Sequence, residues 1–535
     1  MDVQSHQSTL PASTAALYGR MEERMLARDQ VGASEAFHEL VRAGRPLREI
    51  VAEGVRIHAP YTHVPYHERM DDGYPNFVNN DHCLLSARAA INLTKLLPAP
   101  MAMLPTAQTV WYIPTGLDIW NQKLNRAPGH YTRGFKGEIR NPPAPVVYWP
   151  DQEPARSAAP MRERLNDWMT MVQRGQVLDA YRLFLGMMED KPARSAVLAE
   201  LCFAGMIDVQ DRMFQNRSYT TGHKGYRARS TVELGNFLGW DNAHHVIYAG
   251  ALDMAVGPRW YSLYEMACNI IKSEIQGEEL HAVPYAGVSE AEAAALRATG
   301  ELTAAEETAF VDTLVNAHSP DNLNAVTALI RAGKNPRRIV DALQVAAAEV
   351  VIASHGQHNY SMPLHCYQYM NALGWFYDTF NHPRRLRLLY IAAEFMNMTA
   401  WHQKLTKAYE VPTIGTPWTA SMFNANQLAD QVDEAITALD GPQSLEWTKA
   451  YLEHYGATER LIQTLAICSS KMGNDPHNQE VPQGMLEDFG KSRSPHRARI
   501  LLACARLLAS HRKYGDPLEA ARRFGRALDI PELAA

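Results

Sequence analysis

Histidine recurs at matching positions in similar stretches of this 535-residue chain. His223 lies 17 residues before the tryptophan of Leu238-Gly239-Trp240 (240 − 223), and His358 lies 17 residues before that of Leu373-Gly374-Trp375 (375 − 358). Self-similarity at a long period determines the architecture before any local pattern does. We therefore expect the segments around His223 and His358 to superpose as equivalent helix pairs, with both tryptophans buried.

Two further stretches extend the series. His477 shares with His358 the pattern His-Asn, followed four residues later by proline, and His82 begins a weaker copy. The steps between the four histidines are 141 (223 − 82), 135 (358 − 223) and 119 (477 − 358) residues. The repeated unit is therefore large, and its last copy is shortened.

The segments before these histidines also agree. Residues 40–51 align with residues 329–340, and a looser version surrounds Pro192. Apolar residues recur at intervals of three and four in most long segments, which is typical of amphipathic helices, and alternating β-branched stretches are almost absent. The sequence predicts an all-α fold: one large helical repeat body of four degenerate helical hairpins, arranged as an open solenoid or a closed ring.

Proline-rich stretches and helix-start signals divide this body. Ser289-x-x-Glu292 and Thr303-x-x-Glu306 are typical capping boxes and place a helical spacer between the second and third units. The predicted divisions are an N-terminal extension (1–30), unit 1 (31–140), a linker (141–175), unit 2 (176–288), the spacer (289–320), unit 3 (321–440) and a truncated unit 4 (441–535).

Composition excludes several classes of protein. Apolar residues make up 46% of the chain and charged residues 21%, as in ordinary soluble globular proteins. A net charge of −6 argues against a nucleic-acid partner, which requires a basic surface. The chain start lacks the order of a secretory signal, and no apolar run reaches about 18 residues. We expect a cytoplasmic protein with neither a membrane nor a nucleic acid as partner.

Known motifs for nucleotide and thiol chemistry are missing from the sequence. The six cysteines form no CxxC pair, so buried free thiols are expected rather than disulfides or a cysteine metal site. The chain has no GxGxxG, P-loop, GxSxG, HExxH or Rieske pattern. Dinucleotide and nucleoside-triphosphate chemistry are therefore not expected.

The repeated histidines are the candidates for chemistry, because each follows a polar run typical of a helix N-terminus. A neutral imidazole there suits metal binding, and equivalent positions would converge if the repeats closed into a ring. A site of imidazoles with at most a carboxylate, and no thiolate, favours iron, with copper and zinc as alternatives. The candidate metal ligands are His63, His82, His223, His358 and His477.

Other interpretations of the histidines remain open. His245 and His355 are candidates for acid–base catalysis beside the metal. Each repeated histidine could instead cap a helix or join neighbouring repeats, with no chemical role. His63 and His67 have helical metal-site spacing, but Pro65 between them favours a loop over residues 59–67.

Two segments resemble a known family. Residues 244–252 and 355–373 are similar to the helical, histidine-punctuated segments of the questin oxidase-like family, and also to helical domains attached to Rieske-type iron–sulfur modules. The resemblance implies an oxygen-using oxidoreductase that acts on an aromatic or apolar substrate. No Rieske module exists in this sequence, so the electrons would come from a separate donor protein or a diffusible reductant.

These observations lead to two hypotheses of different classes. In the first, the chain is a metal-dependent oxidoreductase that binds an apolar or aromatic small molecule in a histidine-lined interior pocket. In the second, it is a non-enzymatic helical scaffold that binds a protein or peptide, and its histidines are caps. Metal content of the purified protein separates the two.

Overall fold

The computed structural model of this chain describes residues 12–71, 74–125, 152–209, 222–256, 261–276, 287–356, 360–510 and 515–534. As the periodicity predicts, the protein is all-α, and 76% of the described residues are helical. The described residues form 24 α-helices and one two-stranded hairpin.

The helices of the first half of the chain are α1 (Ala12–Leu26), α2 (Gln30–Arg42), α3 (Leu47–His58), α4 (His82–Leu93), α5 (Leu104–Asn125), α6 (Met161–Arg174), α7 (Val177–Met188), α8 (Arg194–Ile207), α9 (His223–Leu238), α10 (His244–Ala251) and α11 (Ser262–Ile270). Those of the second half are α12 (Glu290–Leu296), α13 (Ala304–Asn316), α14 (Asp321–Arg331), α15 (Pro336–Ala353), α16 (Ser361–Thr379), α17 (Arg387–Leu405), α18 (Ala425–Ala438), α19 (Gly441–Tyr455), α20 (Glu459–Lys471), α21 (Pro476–Lys491), α22 (Ala498–Leu508), α23 (Glu519–Ala527) and α24 (Pro531–Ala534).

A β-hairpin lies between α3 and α4. Its strands, β1 (His63–Asp71) and β2 (Tyr74–Asn79), pair antiparallel with a register irregularity between Pro65 and Met70. The expectation of a loop over residues 59–67 is therefore wrong from His63 onward. A proline is tolerated in a strand at an edge or bulge, and a two-stranded ribbon consists only of edges.

The aligned segments 40–51 and 329–340 adopt the same turn. The residues after α2 and α14, Ala43 and Ala332, both have φ of −74°, and Gly44 and Gly333 follow with φ of +67° and +69°. A left-handed backbone is nearly free of strain only for glycine, which explains why both copies carry one there. Beyond this shared turn, the four-unit repeat stays a prediction.

Four helices form a closed ring in the interior. α4 packs on α9, α9 on α16, α16 on α21, and α21 returns to α4. Each is buried over most of its length, and all four carry a histidine within their first five residues. Because the four N-termini meet at one end of the ring, their first turns surround a common space.

The six cysteines are all buried and free, as expected. In the part of the chain that the structure describes, no helix combines the length and apolar character needed to cross a bilayer.

The helical spacer is fixed by one reciprocal capping box and one buried ion pair. Thr303 and Glu306 make both bonds of the predicted box, whereas Ser289 accepts from the Glu292 amide while the Glu292 carboxylate is engaged elsewhere. That carboxylate accepts two hydrogen bonds of 3.0 Å from Arg387 of α17, and both side chains are nearly inaccessible to solvent.

Because of this ion pair, we expect two glutamates of α12 to differ greatly in their contribution to the free energy of unfolding. Glu292→Ala should lower the free energy of unfolding by about 3–5 kcal/mol, because it leaves the buried Arg387 charge uncompensated. Glu290→Ala on the same helix is the control, since Glu290 is 85% exposed in its pair with Arg297. Urea denaturation measures both variants, and equal midpoints would contradict the prediction.

Candidate metal centre

Four imidazoles meet inside the ring. His82, His223 and His477 each offer a ring nitrogen within 4.8 Å of the others. His365 joins them, with its Nε2 3.0 Å from the Nε2 of His223. The Nε2 atoms of His82 and His477 are 3.4 Å apart. The cluster therefore takes one histidine from each of α4, α9, α16 and α21.

The other nitrogen of three of these rings faces an acceptor. His223 Nδ1 lies 3.1 Å from Asp81 Oδ2, and His477 Nδ1 lies 2.9 Å from Asp475 Oδ1. His365 Nδ1 contacts the carbonyl oxygen of Ser361. A proton donated from each Nδ1 fixes the tautomer and leaves the Nε2 lone pair directed at the centre.

With this tautomer, a cation at the centre would be favourable. Two Nε2 lone pairs 3.0 Å apart repel each other unless a proton or a metal ion lies between them. Metal–nitrogen bonds of about 2.0–2.1 Å in tetrahedral geometry place two ligand nitrogens about 3.3 Å apart. Two separations, of 3.0 and 3.4 Å, are close to this value, and the ligand nitrogens of His82, His223 and His477 all lie within 4.8 Å of one another, so the residues present fit a transition metal.

Electrostatics favour a neutral His365 and an ionised Asp81. Burial, together with the neighbouring imidazoles of His223 and His477, holds the pKa of His365 well below its ordinary value. Burial also opposes ionisation of Asp81, but His223 and Arg227 outweigh it and keep the pKa of Asp81 below its usual range. Arg227 bridges Asp81 and Asp253, at 3.3 and 3.1 Å.

Two tyrosine rings lie beside the cluster. The centroid of Tyr112 on α5 is 6.3 Å from that of His82, and the Tyr226 ring on α9 is 5.5 Å from that of His223. The Tyr226 hydroxyl donates to the carbonyl of His365, so its ring holds the start of α16 against α9.

The structure places three of the five predicted ligands together and one elsewhere. His82, His223 and His477 lie in the cluster. His63 is buried at the start of β1, where its Nε2 faces the carbonyl of Tyr248 at 3.1 Å, outside that group. His358 lies outside the described residues.

The two predicted catalytic histidines lie apart from the four-histidine cluster. His245 stands at the start of α10 against the ring of His244, at 4.4 Å between centroids. His355 follows the end of α15, where its backbone amide donates to Ala408.

The sequence comparison did not single out His365, because it aligned the repeated segments on their tryptophans. Trp240 lies after the end of α9, in a separate 3₁₀ turn, whereas Trp375 lies inside α16 and is 7% exposed. The predicted equivalence of the Leu-Gly-Trp segments is therefore wrong. A regular step was the available signal: His82 to His223 is 141 residues, and His223 to His365 is 142 (365 − 223).

Neutral His365 predicts a specific pH dependence of stability in metal-free protein. The folded-state pKa lies below the unfolded one, so His365 contributes stability that is present above about pH 6.5 and is lost as the pH falls. His365→Gln should reduce the slope of unfolding free energy against pH below about pH 6.5, by at most about 1.4 kcal/mol per pH unit. Denaturant titrations at several pH values test this, and an unchanged slope would contradict it.

Comparison with protein-family models, with curated proteins and with solved structures finds no match to this chain.

Proposed function

We propose that this chain is a metal-dependent oxidoreductase whose metal ion is held by His82, His223, His365 and His477. The observation that carries the proposal is the convergence of Nε2 atoms, 3.0 and 3.4 Å apart in two pairs, on one partly buried centre. In three of the four rings the Nδ1 atom faces an acceptor, which is the usual arrangement of metal-binding histidines.

The donor set favours iron, with copper and zinc as alternatives. Four imidazole nitrogens without a thiolate suit all three metals, and iron also agrees with the family resemblance of residues 244–252 and 355–373. Bound iron supplies one-electron redox chemistry with oxygen. Because the chain carries no second redox motif, a separate donor protein or a diffusible reductant supplies the electrons.

The residues around the cluster have distinct tasks. Asp81 and Asp475 hold the imidazoles of His223 and His477 in the metal-binding tautomer. Tyr112 and Tyr226 present aromatic faces beside the cluster, which favours an apolar or aromatic small molecule as the substrate. The buried ring of helices limits access of bulk water to the reacting atoms.

Metal content tests the proposal directly. Protein purified without chelators should carry about one equivalent of a transition metal, measured by inductively coupled plasma mass spectrometry, and should lose it below about pH 6. His365→Ala should abolish binding while the helical circular dichroism remains. His355→Ala is the matched control and should keep the metal. Metal-free wild type with intact folding would favour the scaffold hypothesis.

The carboxylate behind His223 gives a second prediction. Asp81→Asn keeps the size of the side chain but removes the charge that orients the imidazole, so metal affinity should fall about 10–100-fold. Competition with a chromophoric chelator measures this change. Asp241→Asn, in the 3₁₀ turn after α9, is the control and should leave the affinity unaltered. Wild-type affinity in Asp81→Asn would show that the Nδ1 contact does not support the metal.

A further inference from the structure

The carboxylate of Asp81 does not cap the helix at whose start it stands. Asp81 holds the N-cap position of α4, yet its side chain accepts no hydrogen bond from the first turn of that helix. The corresponding residue of α21, Asp475, does accept from the amide of His477. An aspartate at an N-cap ordinarily stabilises its helix through such a bond. The Asp81 carboxylate is therefore engaged elsewhere.

The two oxygens of this carboxylate face two different imidazoles of the cluster. Asp81 Oδ2 lies 3.1 Å from His223 Nδ1, and Asp81 Oδ1 lies 3.7 Å from His82 Nδ1. The second separation is too long for a hydrogen bond, but it places the Nδ1 side of His82 against the same carboxylate. One aspartate thus stands behind two of the four histidines, and its orientation acts on both.

Arg227 binds the same carboxylate. It lies four residues after His223 on α9, so the two side chains share one face of that helix. Its Nη1 donates to Asp81 Oδ2 at 3.3 Å, and both side chains are 2% exposed. His223 and Arg227 therefore meet at one oxygen. A guanidinium group only donates hydrogen bonds, so this contact holds Oδ2 in place as an acceptor.

Asp253 anchors the other arm of Arg227. Arg227 Nη2 lies 3.1 Å from Asp253 Oδ1, in the 3₁₀ turn Leu252–Ala255, and Asp253 is also buried. Within the described residues, Nη2 and Nε of Arg227 make no hydrogen bond, so this contact is an ion pair and the aligned hydrogen bond goes to Asp81. A buried cation between two carboxylates cannot leave either without uncovering an unpaired charge, which fixes the guanidinium.

We propose that Arg227 is the positioning residue of the metal centre: acting through Asp81, it holds one carboxylate against the Nδ1 sides of His223 and His82, so that both rings turn Nε2 toward the metal. This inference rests on the proposed metal site. The planar fork of arginine suits the task, because its two arms reach two carboxylates at once and keep their relative orientation. Residues that orient metal ligands from behind affect the affinity for the metal without touching it.

A double-mutant cycle tests whether Arg227 acts through Asp81. Arg227→Met removes the donors and the charge of the side chain, so the Zn²⁺ affinity of the folded protein should fall about 10-fold. In the Asp81→Asn background the same substitution should cause no further loss, because the carboxylate through which it acts is gone. Competition with a chromophoric chelator measures the four affinities. The visible spectrum of the Co²⁺ form is a second readout, and Arg227→Met should change it in the same direction as Asp81→Asn.

Arg387→Met is the matched control. Arg387 is as buried as Arg227 and pairs with a buried carboxylate, Glu292, but it belongs to α17, outside the ring of α4, α9, α16 and α21. Its removal should destabilise the fold for the same reason, and leave the Zn²⁺ affinity and the Co²⁺ spectrum of the folded protein unchanged. Where Arg227→Met fails to fold, Arg227→Lys takes its place: it keeps the buried charge but not the fork, so the affinity should still fall severalfold.

The possible results distinguish the role of Arg227 from the metal site itself. Failure of the wild type to bind Zn²⁺ would overturn both. Wild-type affinity in the folded Arg227 variant would overturn the role of Arg227 and leave the metal site intact. The same conclusion would follow from a loss that is equally large with and without the Asp81 carboxylate, or from an equal loss in Arg387→Met.

Discussion

The Nε2 atoms of His223 and His365, 3.0 Å apart in a partly buried space, impose the constraint on which the centre depends. Neutral imidazoles with their Nδ1 protons engaged cannot approach this closely without a cation between their lone pairs. The acceptors behind the rings, Asp81 and Asp475, therefore determine the chemistry as much as the histidines do, because they decide which nitrogen faces inward.

This constraint also explains the acidic residues around the cluster. The N-termini of four helices meet at the imidazoles, and each carries partial positive charge that disfavours a cation. Asp81 and Asp475 compensate at two of the four helix starts, where Asp81 directly precedes His82 and Asp475 lies two residues before His477. Burial and the neighbouring imidazoles of His223 and His477 stabilise the neutral form of His365, which a metal ligand requires. In this cluster, the helix N-termini bring the imidazoles together, and the carboxylates compensate the positive charge of the helix ends.

The sequence predicted the helices and three of the four clustered histidines, but not the residues that contact them. The turns at Gly44 and Gly333 could be aligned because glycine is the residue that a left-handed backbone selects. His365 was missed because the Leu-Gly-Trp match is a local similarity, whereas packing of α16 against α9 sets its register in the ring. The hairpin from His63 was missed since prolines suggested a loop.

The local geometry argues against the interpretation of the histidines as helix caps. The N-cap positions of α4, α9 and α21 are held by Asp81, Gly222 and Asp475, and the Asp475 side chain accepts from the amide of His477. A cap is local to its own helix, whereas His82 and His477 meet across 395 residues of sequence. Closing such a contact costs loop entropy and slows folding. Histidines that only capped the N-termini of their own helices would gain no stability from it. Convergence at this cost is what a shared ligand would select, and the distance between the histidines in the chain therefore favours a metal centre as much as their closeness in space does.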